Sequence, residues 1–139
     1  MRVVLDTCVV VAGLRSKIGA SNRLLRLIAG ERLIPLATPP LFLEYEEVLL
    51  RPEQRLIHGL SEDRVRDFLG SLAGWIEPVA IHFHWRPQMR DPKDEMVLEA
   101  ALNGRADALV THNVRDFAAA AARFGLAVLT PQQILEGLR

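Results

Sequence analysis

Strand-like and helix-like segments alternate along the whole chain, and this alternation limits the folds that the chain can adopt. Five short apolar segments have the length and composition of strands, at residues 3–6, 33–38, 76–83, 108–111 and 126–129. Segments with apolar residues at helical spacing separate these strands and follow the last one. Such alternation is typical of a parallel sheet with helices on both faces. We therefore predict an α/β fold of three layers, α/β/α, around a central parallel five-stranded sheet.

Capping residues and helix breakers set the bounds of the predicted helices. These helices cover residues 8–14, 22–29, 39–50 and 61–74, and three more begin near residues 91, 117 and 130. Pro52 is expected to end the third of them. Asp91 followed by Pro92 is a typical helix start, and Thr130 with Gln133 forms a capping box.

The length and the single cysteine limit the class of protein. The 139 residues can form one domain with a sizeable core, so we predict a single domain over residues 1–139. No apolar stretch approaches the ~20 residues of a membrane span, and the first residues lack the pattern of a signal peptide. The only cysteine, Cys8, indicates a reducing compartment and hence the cytoplasm.

The formal charge is balanced, with 17 basic and 17 acidic residues. This balance argues against a general polyanion binder, which covers its surface with Lys and Arg. It is compatible with a nuclease, because acids that hold a metal can be offset by arginines elsewhere in the chain.

Asp6 is the one charged residue in the apolar run of residues 3–12. A carboxylate is costly in such surroundings unless a cation or hydrogen-bond donors meet it. One interpretation is that Asp6 or Thr7 caps a helix that begins near Cys8. The other is that Asp6 is a metal ligand at the carboxyl end of a central strand, where open α/β sheets place their sites.

Asp94 and the residues after the fourth strand are the next candidates. Asp94 heads the apolar face of its helix, and we expect Glu95 and Glu99 to lie toward the flank and solvent. A capping role for Asp94 together with Asp91 remains open. Thr111, Asn113 and Asp116 follow the fourth strand; Asp116 is either part of a site there or the cap of the alanine-rich helix.

The helix after Pro39 carries three glutamates, Glu44, Glu46 and Glu47. Glu44 and Glu46 lie on the two margins of its apolar face, and Glu47 points away from it. Periodicity does not choose between the two margins, and a solvated face is the simplest interpretation of any of the three.

Four segments together resemble the PIN-domain family, and in particular the toxin components of VapBC-type toxin–antitoxin pairs. The segments are Val4-Leu5-Asp6-Thr7, residues 44–52, Asp91-Pro92-Lys93-Asp94, and residues 106–111 running into Asn113 and Asp116-Phe117. Each is weak alone, but their order and spacing cover nearly the whole chain. The resemblance implies a PIN-like fold and a Mg²⁺- or Mn²⁺-dependent endoribonuclease that cleaves single-stranded or structured RNA. It also implies a cognate antitoxin protein as partner and favours a homodimer.

The same resemblance carries site residues over to this chain. The positions that match the family's catalytic acids are Asp6, Glu44, Asp94 and Asp116. Of these, Asp6, Asp94 and Asp116 are the implied metal ligands, with Glu44 binding directly or through water. Thr7 and Thr111 match hydroxyl positions beside the site. Asn113 stands where many members carry aspartate, which leaves open whether one metal ion or two are bound.

Several other residues are candidates for contacts with substrate or metal. Arg15, Arg90 and Arg115 are plausible phosphate ligands near the acids in chain order. His82 and His84 have a spacing compatible with zinc, although no cysteine or third ligand lies nearby in sequence. Trp85 is expected to stack on a base or to fill a dimer interface.

Two other functions remain open. A PIN-like fold without catalysis could serve as an RNA or protein interaction module. An aspartyl phosphotransferase also uses an aspartate after a first hydrophobic strand as its nucleophile. That chemistry expects a second acid two residues later, where this chain has Cys8.

Overall fold

A computed structural model describes residues 1–84 and 88–138 of the chain. Its strands are β1 (Arg2–Leu5), β2 (Ile34–Ala37), β3 (Glu77–Pro78), β4 (Ala108–Val110) and β5 (Ala127–Leu129). They form one sheet in the order β3-β2-β1-β4-β5, and every pairing is parallel. The predicted parallel five-stranded sheet is confirmed.

Eight helices flank the sheet in the described residues, which confirms the α/β/α architecture. They are α1 (Thr7–Arg15), α2 (Ala20–Ala29), α3 (Pro39–Leu49), α4 (Pro52–His58), α5 (Glu62–Trp75), α6 (Pro92–Asn103), α7 (Val114–Arg123) and α8 (Pro131–Gly137). Within residues 1–84 and 88–138, none of these helices has the length and apolarity that a membrane span requires.

The central strand β1 lies in the middle of the core. Val3, Val4 and Leu5 are at most 2% exposed, as expected for a strand that is covered on both faces. The buried Tyr45 of α3 donates a hydrogen bond from its hydroxyl to the carbonyl of Leu5. This bond fixes α3 beside the carboxyl end of β1, where Asp6 follows.

The third strand is much shorter than predicted. Only Glu77–Pro78 pairs with β2, and one more ladder bond, from the Val79 N–H to the Ala37 carbonyl, follows it. Pro78 has no N–H to donate, so the strand suits only the sheet edge. Beyond it, the N–H groups of residues 82 and 83 donate to the side chain of Asn103 on α6 instead of to a strand.

The helix α4 was not predicted, because Pro52 was interpreted only as the end of α3. Pro52 occupies the first position of α4, where a missing N–H costs little and the proline φ suits a helix. The helix ends at Gly59, whose φ of 71° is the left-handed conformation that glycine adopts without strain.

The prediction for the acids of α6 is wrong in part. Glu95 and Glu99 are 6% and 4% exposed, whereas Asp94 is half-buried. The prediction assumed that only one face of α6 is covered, but α6 is buried nearly all round from Glu95 onward. The segment before α6 covers the polar side: the Met89 N–H donates to Glu95 Oε1 at 2.6 Å, and His84 pairs with Glu99.

Candidate active site

The ends of two neighbouring strands bring Asp6 and Thr111 together. Leu5 pairs with Val110 in the parallel ladder, so the next residue of each strand lies at the same edge of the sheet. The Thr111 hydroxyl donates a hydrogen bond of 2.7 Å to Asp6 Oδ2. Thr111 is fully buried and Asp6 is 8% exposed. A bond of this kind offsets part of the cost of burying a carboxylate.

Asp6 occupies the N-cap position of α1, but its carboxylate makes no capping hydrogen bond. The Oδ2 atom accepts from Thr111 and from the Cys8 thiol, whose Sγ lies 3.3 Å away. No hydrogen bond from the described residues reaches Oδ1. Asp6 is therefore the N-cap residue of α1 by its backbone position, but its side chain does not cap the helix. Its Oδ1 atom is left available to a ligand.

Asp94 lies where several negative charges meet. It is in the first turn of α6, a helix that contacts β1 and α7. Burial, and then the charges of Asp6, Asp91 and Asp116 in that order, together raise the pKa of Asp94 to about 6. Because such charge effects fall off with distance, Asp6, Asp91 and Asp116 lie near enough to Asp94 to disfavour its negative charge.

Asp116 lies in the first turn of α7 and not at its cap. The helix begins at Val114, earlier than the predicted start near Phe117, and its N-cap is Asn113. The Asn113 side chain makes no capping bond; its backbone N–H donates to Thr111 Oγ1 at 2.9 Å. Thr111 thus links the start of α7 to Asp6, and the exposed Asp116 lies one turn further on.

Glu44 of α3 pairs with a lysine of α6. Glu44 is 8% exposed on α3, and Lys93 Nζ lies 3.6 Å from its Oε1. Lys93 directly precedes Asp94 in the sequence, so the ion pair links α3 to the first turn of the helix that carries Asp94. Glu46, on the other margin of α3, is half-buried and lines a separate groove with Phe42 and Arg66.

A cleft of about 580 Å³ contains two of the four predicted acids, Asp94 and Asp116, in its lining, whereas Asp6 and Glu44 do not line it. Asp94 and Asp116 line it together with Gln88, Met89, Arg90, Asp91, Ala119, Ala120 and Arg123. The lining of the cleft therefore combines three carboxylates with two guanidinium groups, so that it can receive both a cation and an anion.

The three predicted arginines are placed differently. Arg90 lines the cleft. Arg15 lies at the end of α1, about 13 Å along the helix from Asp6, and its guanidinium donates to Gln54 Oε1 at 3.1 Å. Arg115 is exposed in the first turn of α7, outside the lining of the cleft. Thr7, the first residue of α1, is half-buried.

Three residues at the site escaped the sequence analysis, namely Lys93, Glu95 and Arg123. Lys93 lies inside the segment that carries Asp94, and it is one of two lysines in the chain. Arg123 is seven positions after Asp116, and this spacing places both on one helix face. No sequence pattern points to Glu95, because its partners are the backbone N–H groups of Gln88 and Met89.

The candidate acids, all within the described part of the chain, offer the ligand chemistry of a divalent cation but do not form a closed set of three ligands. No three His, Cys, Asp or Glu side chains of residues 1–84 and 88–138 are grouped closely enough to hold a metal ion among them. The donors are nevertheless all oxygen, and Mg²⁺ keeps several waters and uses only one or two carboxylates directly. The raised pKa of Asp94 indicates negative charge that a cation would relieve. The chemistry of these donors, though not a closed arrangement of three of them, is therefore that of a hard-cation site.

The alternative zinc site gains no support from the described residues. His84 pairs with Glu99 and belongs to no three-ligand group there. Structural zinc requires four close ligands. Trp85, the candidate for base stacking or a dimer contact, lies outside the described residues.

Comparison with known protein families decides the family. A family model described as the PIN domain matches residues 2–115 of the chain. The chain belongs to the PIN domain family. A comparison with curated proteins gives no match.

PIN domains are in general metal-dependent nucleases that bind nucleic acid and hydrolyse phosphodiester bonds. The matched residues include Asp6, Glu44 and Asp94 and end one position before Asp116. This PIN domain thus has a nuclease-type fold, with Asp6 at the carboxyl edge of the sheet.

Proposed function

We propose that this PIN domain is a Mg²⁺- or Mn²⁺-dependent endoribonuclease that cleaves single-stranded or looped RNA and is the toxin of a toxin–antitoxin pair. The observation that carries the proposal is the position of Asp94. It lies in a cleft that two arginines, Arg90 and Arg123, also line, and its pKa is raised to about 6 by burial and by the charges of Asp6, Asp91 and Asp116. A site that concentrates negative charge beside guanidinium groups suits a cation together with a phosphodiester.

In this proposal Asp6, Asp94 and Asp116 are the metal ligands, and Glu44 binds directly or through water. A divalent cation held there supplies charge neutralisation at the phosphate and lowers the pKa of a water molecule. Thr111 holds Asp6 in place through its 2.7 Å bond and also accepts from the Asn113 backbone. Thr7 and Asn113 flank these ligands in the chain.

The arginines are assigned to the phosphates of the substrate. Arg90 has the best support, because it lines the cleft that contains Asp94 and Asp116. Arg115 is exposed beside Asp116 and can reach a strand that leaves the cleft. Arg15 has the weakest support, since it lies at the opposite end of α1 from Asp6 and already binds Gln54.

Cleavage of RNA with and without metal tests the enzymatic part. Purified protein should cut a labelled single-stranded RNA when Mn²⁺ or Mg²⁺ is present, and excess chelator should abolish the products. Denaturing gels should show internal cuts, as an endonuclease requires. Absence of cleavage with either metal, or cleavage that persists in chelator, contradicts the proposal.

A non-catalytic role as an RNA or protein interaction module is the second candidate. It draws on the finding that no three acids of residues 1–84 and 88–138 are already grouped around one point. A module of this kind binds RNA without cutting it in any metal. An aspartyl phosphotransferase, the less favoured alternative, would instead label Asp6 covalently with phosphate.

The toxin assignment rests on the resemblance to VapBC-type pairs and is tested in cells. Induced expression of the wild-type chain should arrest growth, whereas Asp94→Asn should not, at equal protein levels. Co-expression of a cognate antitoxin should restore growth. Light scattering of the purified protein tests the proposed homodimer.

A further inference from the structure

The cleft extends away from the acids along one face of α7. Asp116, Ala119, Ala120 and Arg123 line it at helical spacings of three, four and seven residues. Seven residues correspond to about 10.5 Å along the helix axis. The cleft therefore runs from the proposed metal ligands to a guanidinium group at its other end.

The opposite wall of the cleft is held by two contacts. The buried Glu95 accepts hydrogen bonds through Oε1 from the backbone N–H groups of Gln88 and Met89. The Arg123 Nη2 donates to the Gln88 carbonyl at 3.2 Å, so the two walls meet at Arg123. A guanidinium has five N–H donors, and one bond to a carbonyl uses only one of them.

The charges along this cleft select the kind of ligand. A nucleic-acid strand carries one negative phosphate per nucleotide, so a second phosphate follows the one that is cleaved. An acidic peptide would be repelled by the carboxylates of Asp94 and Asp116, and it has no phosphodiester for the proposed metal to act on. The two alanines between the charged ends carry the smallest side chains that still favour a helix, and they leave the floor of the cleft open.

We propose that the cleft along α7 binds the RNA segment next to the cleaved phosphate, with Arg123 contacting a flanking phosphate and Ala119 and Ala120 leaving room for the nucleotide between. This inference rests on the proposed function, since it names the path of the same substrate. It adds Arg123 as a substrate-binding residue.

Fluorescence anisotropy with a short labelled single-stranded RNA tests the path separately from cleavage. Binding is measured in an Asp94→Asn background between about 50 and about 200 mM salt. Arg123→Gln should weaken binding by about 3- to 10-fold. It should also lower the slope of log K against log salt by about 0.7, the value for one phosphate contact on a single strand. Arg23→Gln, which removes an exposed arginine on α2, is the matched control. It should change the affinity for RNA and the salt slope by less than Arg123→Gln does.

Two further variants separate binding from support of the cleft wall. Arg123→Lys keeps the charge and should keep most of the salt slope. If Arg123 only supports Gln88, Arg123→Lys and Arg123→Gln should behave alike, and neither should change the slope. Ala119→Leu should fill the cleft and weaken binding without altering the slope. Ala118→Leu, an exposed alanine of the same helix outside the cleft lining, should be neutral.

The outcomes distinguish this inference from the proposed function. If the wild-type protein cleaves RNA but Arg123→Gln and Ala119→Leu bind RNA as tightly as their controls do, the path along α7 is wrong and the function stands. If the variants show the expected binding losses while the wild-type protein cuts no RNA in any metal, the path stands and the nuclease proposal fails.

Discussion

Replacing Asp94 with asparagine should stabilise the protein when no divalent cation is present. Burial, and then the charges of Asp6, Asp91 and Asp116, raise the pKa of Asp94 from 3.8 to about 6. The ionised carboxylate is therefore less stable in the folded protein than in the unfolded chain. The full difference corresponds to about 3 kcal/mol. Because Asp94 is only partly buried, solvent screening reduces the expected effect to on the order of 1 kcal/mol.

The dependence on pH follows from the direction of this shift. Well below pH 3.8, Asp94 is protonated in both the folded and the unfolded state, so its cost to the folded state vanishes, and at about pH 4 only a small part of the cost remains. The cost grows as the pH rises through about 6 and is constant above that. Asparagine resembles the protonated acid at every pH. The variant should thus melt close to wild type at about pH 4 and about 3–4 °C higher at about pH 7.

Thermal melts in chelator, followed by circular dichroism across this pH range, measure the difference. Asp63→Asn is the control, because Asp63 is an exposed acid in the first turn of another helix, α5. It should melt at the same temperature or slightly lower, since it loses a favourable charge at a helix N-terminus. Two results would show that the other acids do not repel the charge of Asp94. In one, Asp94→Asn melts no higher than wild type at about pH 7; in the other, it melts higher by the same margin at every pH.

Addition of Mn²⁺ should reverse the order of the two proteins. A ligand that binds only the folded state adds about 2.7 kcal/mol when its free concentration is a hundred times its Kd. Wild type should gain stability in this way, whereas Asp94→Asn lacks one of the proposed ligands and should gain far less. Equal gains in both proteins would show that the cation binds elsewhere.

Three further substitutions test individual contacts. Glu44→Gln should impair RNA cleavage while Glu46→Gln does not, because Glu44 pairs with Lys93 beside Asp94; the reverse result in a cleavage assay would place the site on the other margin of α3. Glu95→Gln keeps an acceptor oxygen and should leave KM for RNA near wild type, whereas Glu95→Leu should raise it; equal KM values would show that the cleft wall needs no such support. Tyr45→Phe should lower the free energy of unfolding in urea by about 1 kcal/mol, because the buried carbonyl of Leu5 loses its donor, and an unchanged midpoint would contradict this.

The fold was largely predictable from sequence, because its signals are local. Apolar segments of strand length and caps at the helix starts are written in neighbouring residues, and Asp91 and Thr130, both predicted to cap helices, accept capping bonds in the structure. Prolines were harder to interpret. Pro52 starts a helix and Pro78 lies within an edge strand, and only the surrounding tertiary structure decides between such roles.

The candidate site was predictable only where periodicity or family resemblance gave a signal. Asp6 stood out as a charge in an apolar run, and the structure places it beside Thr111. The burial of Glu95 could not be foreseen, because its covering partner is the backbone of residues 88 and 89 and carries no side-chain pattern. The choice of Glu44 over Glu46 came from the resemblance, since both lie at equivalent margins of α3.

The rate of RNA cleavage by acid-to-amide variants tests the central claim most directly. With Mn²⁺ present, Asp6→Asn and Asp94→Asn should each cut single-stranded RNA at least ~100-fold more slowly than wild type, because each removes a charge that the metal needs. Asp63→Asn should cut at the wild-type rate, and all three proteins should show folded circular dichroism spectra. Cleavage by folded Asp6→Asn and Asp94→Asn at the wild-type rate would contradict the assignment of these acids to a metal-dependent active site.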